Sequence, residues 1–164
     1  MSNNPRERLE LEDAYHRIED SLVRFVRTQT SKRAVRERAT RSGVWLSPSA
    51  LGLLAELERH GSAQISTIGS RLRMHVSRAS REVHDLAARG YVSLGDDPDD
   101  ARKVVATITP LGRTQLAAYR SVTHGLLAEI LDEWDDGDVE HFARLFEDFT
   151  VAAASVGRAT VEAR

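Results

Sequence analysis

Residues 65–92 read ISTIGSRLRMHVSRASREVHDLAARGYV, and this stretch decides the fold. Ile65, Ile68 and Leu72 recur at spacings of three and four, the signature of a short helix from about Ile65 to Arg73. The pattern breaks near Met74–His75. A second helix is predicted from Ser77 to Arg89, with Val76, Ala79, Val83 and Leu86 on its buried face and Gly90 as its stop. Gly69 is a poor helix former, but its missing side chain lets two helices approach closely. Two helices joined by so short a turn make a helix-turn-helix.

The flanking segments complete the unit. Upstream, Ser47-Pro48 combines an N-cap residue with proline at the first helical position, and Leu51, Leu54, Ala55 and Leu57 follow before Gly61. Downstream, Tyr91–Leu94 and Val104–Thr109 alternate as short strands around the polar loop GDDPDDARK, residues 95–103, which predicts a β-hairpin. The fold class expected is therefore mainly α with a small β-hairpin (α+β), a winged helix-turn-helix over residues 47–109. Residues 1–46 hold a helix from Arg6 to about Thr30, with Leu11, Tyr15, Ile18, Leu22 and Phe25 on one stripe. A basic stretch to Gly43 follows, either frayed helix or linker. Residues 110–164 hold a long helix from Pro110 or Leu111 to about Trp134, a break at DDGD, a last helix from about Val139 to Val156, and a frayed tail from Gly157. Trp45 reads as a core aromatic.

Composition removes whole classes of function. The 164 residues contain no cysteine, which excludes disulfides, thiolate metal sites and thiol chemistry. No run approaches the ~20 apolar residues of a membrane span, and MSNNPRERLELED lacks the apolar core of a secretion signal. The expectation is a cytoplasmic protein. The six histidines form no His-x-x-x-His or Glu-x-x-His pair, and no glycine-rich phosphate loop or Gly-x-Ser-x-Gly elbow occurs, so no enzyme, cofactor or catalytic residue is expected.

The net charge of −2 hides an uneven distribution. Residues 59–94 carry six arginines against Glu82 and Asp85, whereas residues 128–150 carry nine acids against Arg144 alone. Such a division suits one region that meets a polyanion and one that does not. In helix-turn-helix geometry the second helix enters the DNA major groove by its N-terminal residues. Ser77, Arg78, Ser80 and Arg81 occupy those turns. Arginine matches the paired acceptors of guanine, and serine serves several bases. In the hairpin loop, Arg102 and Lys103 would reach phosphates or the minor groove, with Asp100 orienting the arginine. The four loop aspartates do not make a calcium loop, because Pro98 interrupts the spacing and the later ligands are missing. The competing reading is a winged-helix module that binds a protein through its terminal helices and acidic region, without sequence-specific DNA binding.

The segments LSPSALGLLAELERHG (46–61), ISTIGSRLRMHVSRASREVHDLAARGYV (65–92) and DPDDARKVVATITPLGR (97–113) resemble the MarR (multiple antibiotic resistance regulator) family of transcription factors. Asp100, Arg102, Thr109 and Gly112 stand at the places of the family's wing signature, and Ser80-Arg81 resembles its Thr-Arg pair in the recognition helix. The resemblance runs from about Leu11 to Ala153. It implies a homodimer held by the terminal helices, through Leu11, Ile18, Leu22 and Phe25 at one end and Leu126, Ile130, Phe142, Leu145, Phe146 and Phe149 at the other. It further implies a repressor that occupies a pseudo-palindromic operator on double-stranded DNA and is released by a small, often aromatic, effector.

Overall fold

A computed structural model describes residues 5–97 and 103–162, with side chains from residue 9 to residue 156. The chain begins with α1 (Pro5–Gln29), which meets α2 (Lys32–Ser42) across a tight turn. The basic stretch left open between frayed helix and linker is thus a formed helix. Its start is capped by the Ser31 hydroxyl, which accepts from the Ala34 amide at 3.2 Å. Arg38 reaches back to the Gln29 side-chain oxygen at 2.6 Å and ties α2 to α1.

The α3 helix (Pro48–His60) starts where its cap signal placed it, with the Ser47 hydroxyl accepting from the Ala50 amide at 3.0 Å. Then come β1 (Ala63–Gln64), α4 (Ile65–Arg71) and α5 (Val76–Ala88). The hairpin is β2 (Val92–Asp96) and β3 (Val104–Ile108), antiparallel with Val92 opposite Ile108 and Asp96 opposite Val104. It does not stand alone. The two-residue β1 pairs with β3, Ala63 opposite Ala106, so the sheet has three strands in the order β1-β3-β2. So short a strand has no period to read in a sequence.

Leu53, Leu54 and Leu57 of α3, Ile68 of α4, Val83 and Leu86 of α5, and Val92, Ala106 and Ile108 of the sheet form one core, which Leu116 completes from α6 (Pro110–Ile130). Each fully buried leucine contributes roughly 1.5–3 kcal/mol relative to exposure. As expected, Gly69 sits at the α4–α5 crossing: a Cβ there would lie 3.1 Å from the Met74 carbonyl oxygen and 3.4 Å from the Ala79 Cβ. Arg73, in the turn between those helices, has φ 52°, the left-handed region.

Inside this framework Glu56 is only 8% exposed. Arg71 holds it at 3.0 Å, a tie from α4 to α3, with His60 at 3.6 Å. Removing Arg71 leaves a buried carboxylate short of its main donor. Arg71→Ala is expected to cost about 2 kcal/mol, read as a lower urea midpoint at unchanged slope.

The chain forms two compact units that divide after Thr123. In the second unit α6 ends at Ile130, earlier than expected, and α7 (Asp136–Glu162) follows. The acidic DDGD run lies at the start of α7. Asp135 Oδ1 accepts from the Asp138 amide at 2.8 Å, an N-terminal cap, and acids there complement the helix dipole. The helix also continues through Gly157, where a frayed tail was expected. Trp134 meets Phe142 edge-on at 5.5 Å, and Phe142 stacks on Phe146 at 5.6 Å.

Candidate nucleic-acid interface

The helix α5 is amphipathic by construction. Ala79, Val83 and Leu86 are buried against the core, which turns Ser77, Arg78 and Arg81 to solvent and leaves Ser80 partly covered. Arg78, Arg81, Glu82 and Asp85 line a surface cleft of about 370 Å³. The four α5 residues named from the sequence therefore occupy two successive turns of one helix. Ser80 is engaged locally: the His84 ring nitrogen Nδ1 donates to its carbonyl oxygen at 2.7 Å.

Two expectations about burial are corrected. Val76 continues the apolar stripe in sequence, yet it is 55% exposed. It is the first residue after the His75 cap, and its backbone, not its side chain, faces Gly69. Trp45 is 58% exposed and not a core aromatic. Its neighbours Val44 and Leu46 are buried, and in a non-helical segment adjacent side chains point to opposite sides. Its carbonyl oxygen accepts from Arg89 Nη2 at 2.6 Å, and the Arg89 guanidinium lies 4.6 Å above the Tyr91 ring, fastening the end of α5 to the segment before α3.

The hairpin is braced where its strands open into the loop. The Asp97 amide donates to the Lys103 carbonyl oxygen at 3.0 Å, and Gln64 of β1 donates to the Asp97 carboxylate at 2.7 Å. Lys103 is exposed at the start of the return strand. Arg102 and Asp100 lie outside the described residues. Thr109 and Gly112, the other two positions of the wing signature, act in folding. Thr109 Oγ donates to the Gly90 carbonyl oxygen at 2.7 Å and accepts from the Gly112 amide at 3.0 Å, which caps α6 against the end of α5.

Sequence reading missed a hydrogen bond made to α5 from outside it. Ser49 donates to the Glu82 carboxylate at 2.6 Å, across 33 residues of chain. A half-buried glutamate next to Arg81 carries no local signal that a distant serine holds it.

The comparisons agree with this geometry. Residues 46–103 match the model of the MarR family. The HTH-type transcriptional regulator YxaD of Bacillus subtilis is 28% identical over 102 residues, which span 62% of this chain and 71% of that protein. A MarR family protein from Bacillus stearothermophilus superposes with a TM-score of 0.67 at 18% identity, covering 93% of this chain and 99% of its own. Streptococcus pneumoniae FabT, solved in complex with DNA, superposes with a TM-score of 0.68 at 14% identity, covering 87% and 99%. The fold is the winged helix-turn-helix of these solved structures, and its residues 46–103 match the MarR family model.

Proposed function

We propose that the protein is a homodimeric repressor that reads a pseudo-palindromic operator through Ser77, Arg78, Ser80 and Arg81, with Arg102 and Lys103 of the wing on phosphates or the minor groove and Asp100 orienting Arg102. The observation that carries this reading is the split of α5 into a buried apolar face and an exposed face holding Arg78 and Arg81 within one turn of each other. Two reading helices placed about 34–36 Å apart would meet successive major grooves.

Uncovered apolar surface supports the dimer. Leu11, Ile18 and Phe25 of α1 are exposed, as are Phe142, Leu145, Phe146 and Phe149 of α7. A 27-residue helix whose aromatic residues face water gains little from burial within one chain. A second copy would cover these faces. Light scattering is expected to give twice the mass of one chain, and Phe146→Glu to shift it towards one chain. A wild-type mass of one chain at micromolar concentration would remove the dimer.

Release by a small aromatic effector rests on the family resemblance. It is tested by loss of the DNA complex on titration with aromatic carboxylates. The central experiment is selection of duplexes from a random library, followed by titration of the winning duplex and a scrambled one. Preference of at least ~10³ and a steep salt dependence are expected. Equal affinity for both would favour the protein-binding module instead.

A further inference from the structure

The outer face of α5 carries carboxylates among its arginines, and one of them is tied to another helix. Glu82 follows Arg78 by four residues, one helical turn, so the two side chains are neighbours. Its Oε1 accepts from the Ser49 hydroxyl at 2.6 Å, and its Oε2 lies 3.4 Å from the Ser47 hydroxyl. Ser47 caps α3 and Ser49 lies in its first turn, where the partial positive charge of the helix end favours a carboxylate. Arg78 Nη2 reaches the same Ser49 oxygen at 3.4 Å. Ser49 thus takes a hydrogen bond from Arg78 and gives one to Glu82.

The apolar seam of α5 consists of Ala79, Val83 and Leu86. Such contact resists separation, but it is non-directional and tolerates small rotations about the helix axis. Base readout tolerates little, because a bidentate arginine must meet two acceptors together. The bond from Glu82 to Ser49 is directional, and it lies at the margin of the seam next to Val83. A carboxylate on a DNA-facing surface also repels phosphates. Its presence there costs general affinity, so its benefit must lie elsewhere.

We infer that Glu82 is a positioning residue for sequence readout: by bonding Ser49 at the start of α3 it sets the rotation of α5 and the aim of Arg78, exchanging general DNA affinity for discrimination. This rests on the DNA-reading function proposed above.

The test uses the full chain, the duplex selected by the wild-type protein and a scrambled duplex of equal composition. Glu82→Ala is expected to lower the ratio of the two affinities about tenfold, while binding the scrambled duplex about threefold more tightly at low salt. Ser49→Ala, which keeps the charge, is expected to lower the ratio similarly without the gain on scrambled DNA. If Glu82→Ala strengthens both duplexes equally, the carboxylate only repels and the inference is overturned. It is also overturned if Ser49→Ala discriminates like the wild type, an outcome that decides the matter even where Glu82→Ala melts early. A wild-type protein that selects no duplex would remove the DNA-reading proposal itself, and this inference with it.

Discussion

Gly112→Ala is expected to lower the thermal midpoint of the first unit by about 6–12 °C, the equivalent of roughly 3 kcal/mol. A Cβ at this position would stand 2.1 Å from the Tyr91 carbonyl oxygen and 3.0 Å from Ile108 Cγ1. The oxygen is a backbone atom with its own role, since it accepts from the Thr109 amide at 3.0 Å. The strain cannot be relieved by turning a flexible side chain. Either α6 moves away from the sheet, taking Leu116 out of the core, or the Tyr91–Thr109 bond opens. The Thr109 cap on the Gly112 amide shifts in both cases. Gly125, in the same helix, is the control: an added methyl there meets nothing within 4 Å. Gly125→Ala should stabilise by about 0.5–1 kcal/mol through helix propensity alone. Scanning calorimetry on the two variants checks both signs. A Gly112→Ala midpoint equal to the wild type would mean that the close approach of α6 to Tyr91 is wrong.

Arg81→Ala is expected to cost about 1–3 kcal/mol on the selected duplex, close to five- to 150-fold, with much less effect on scrambled DNA. The side chain is exposed on the second turn of α5, one turn below Ser77 and beside the cleft shared with Arg78. From there a guanidinium presents two donors to the O6 and N7 of guanine, and its loss relaxes the preference at that base pair. Arg102→Ala should behave differently. A wing arginine bound to phosphate contributes similarly to every sequence, so affinity falls evenly and the salt slope drops by about one. Fluorescence anisotropy at several salt concentrations separates the two patterns. Undiminished discrimination by Arg81→Ala would place the reading face elsewhere on the helix.

Much of this architecture is legible in the chain because its signals are short-range. The cap at Ser47, the α5 periodicity and the alternation in β2 and β3 each need only neighbours within about one helical turn or a few strand residues. The MarR resemblance rests on the same local pieces, and it singles out Thr109 and Gly112 without revealing that they serve folding. The DDGD run shows the limit of such signals: acids and glycine suit a break and a helix start equally, and Asp135 resolves the choice only by bonding the Asp138 amide.

Residue order alone determined which helix would lie against the core and which of its side chains would be polar, since the 3.6-residue repeat is a property of the chain. Whether Val76 and Trp45 are covered, whether two residues before α4 become a strand, and which group holds Glu82 were decided only when distant segments met. Burial and hydrogen bonding depend on what stands opposite, and no residue carries that information about a neighbour 33 positions away.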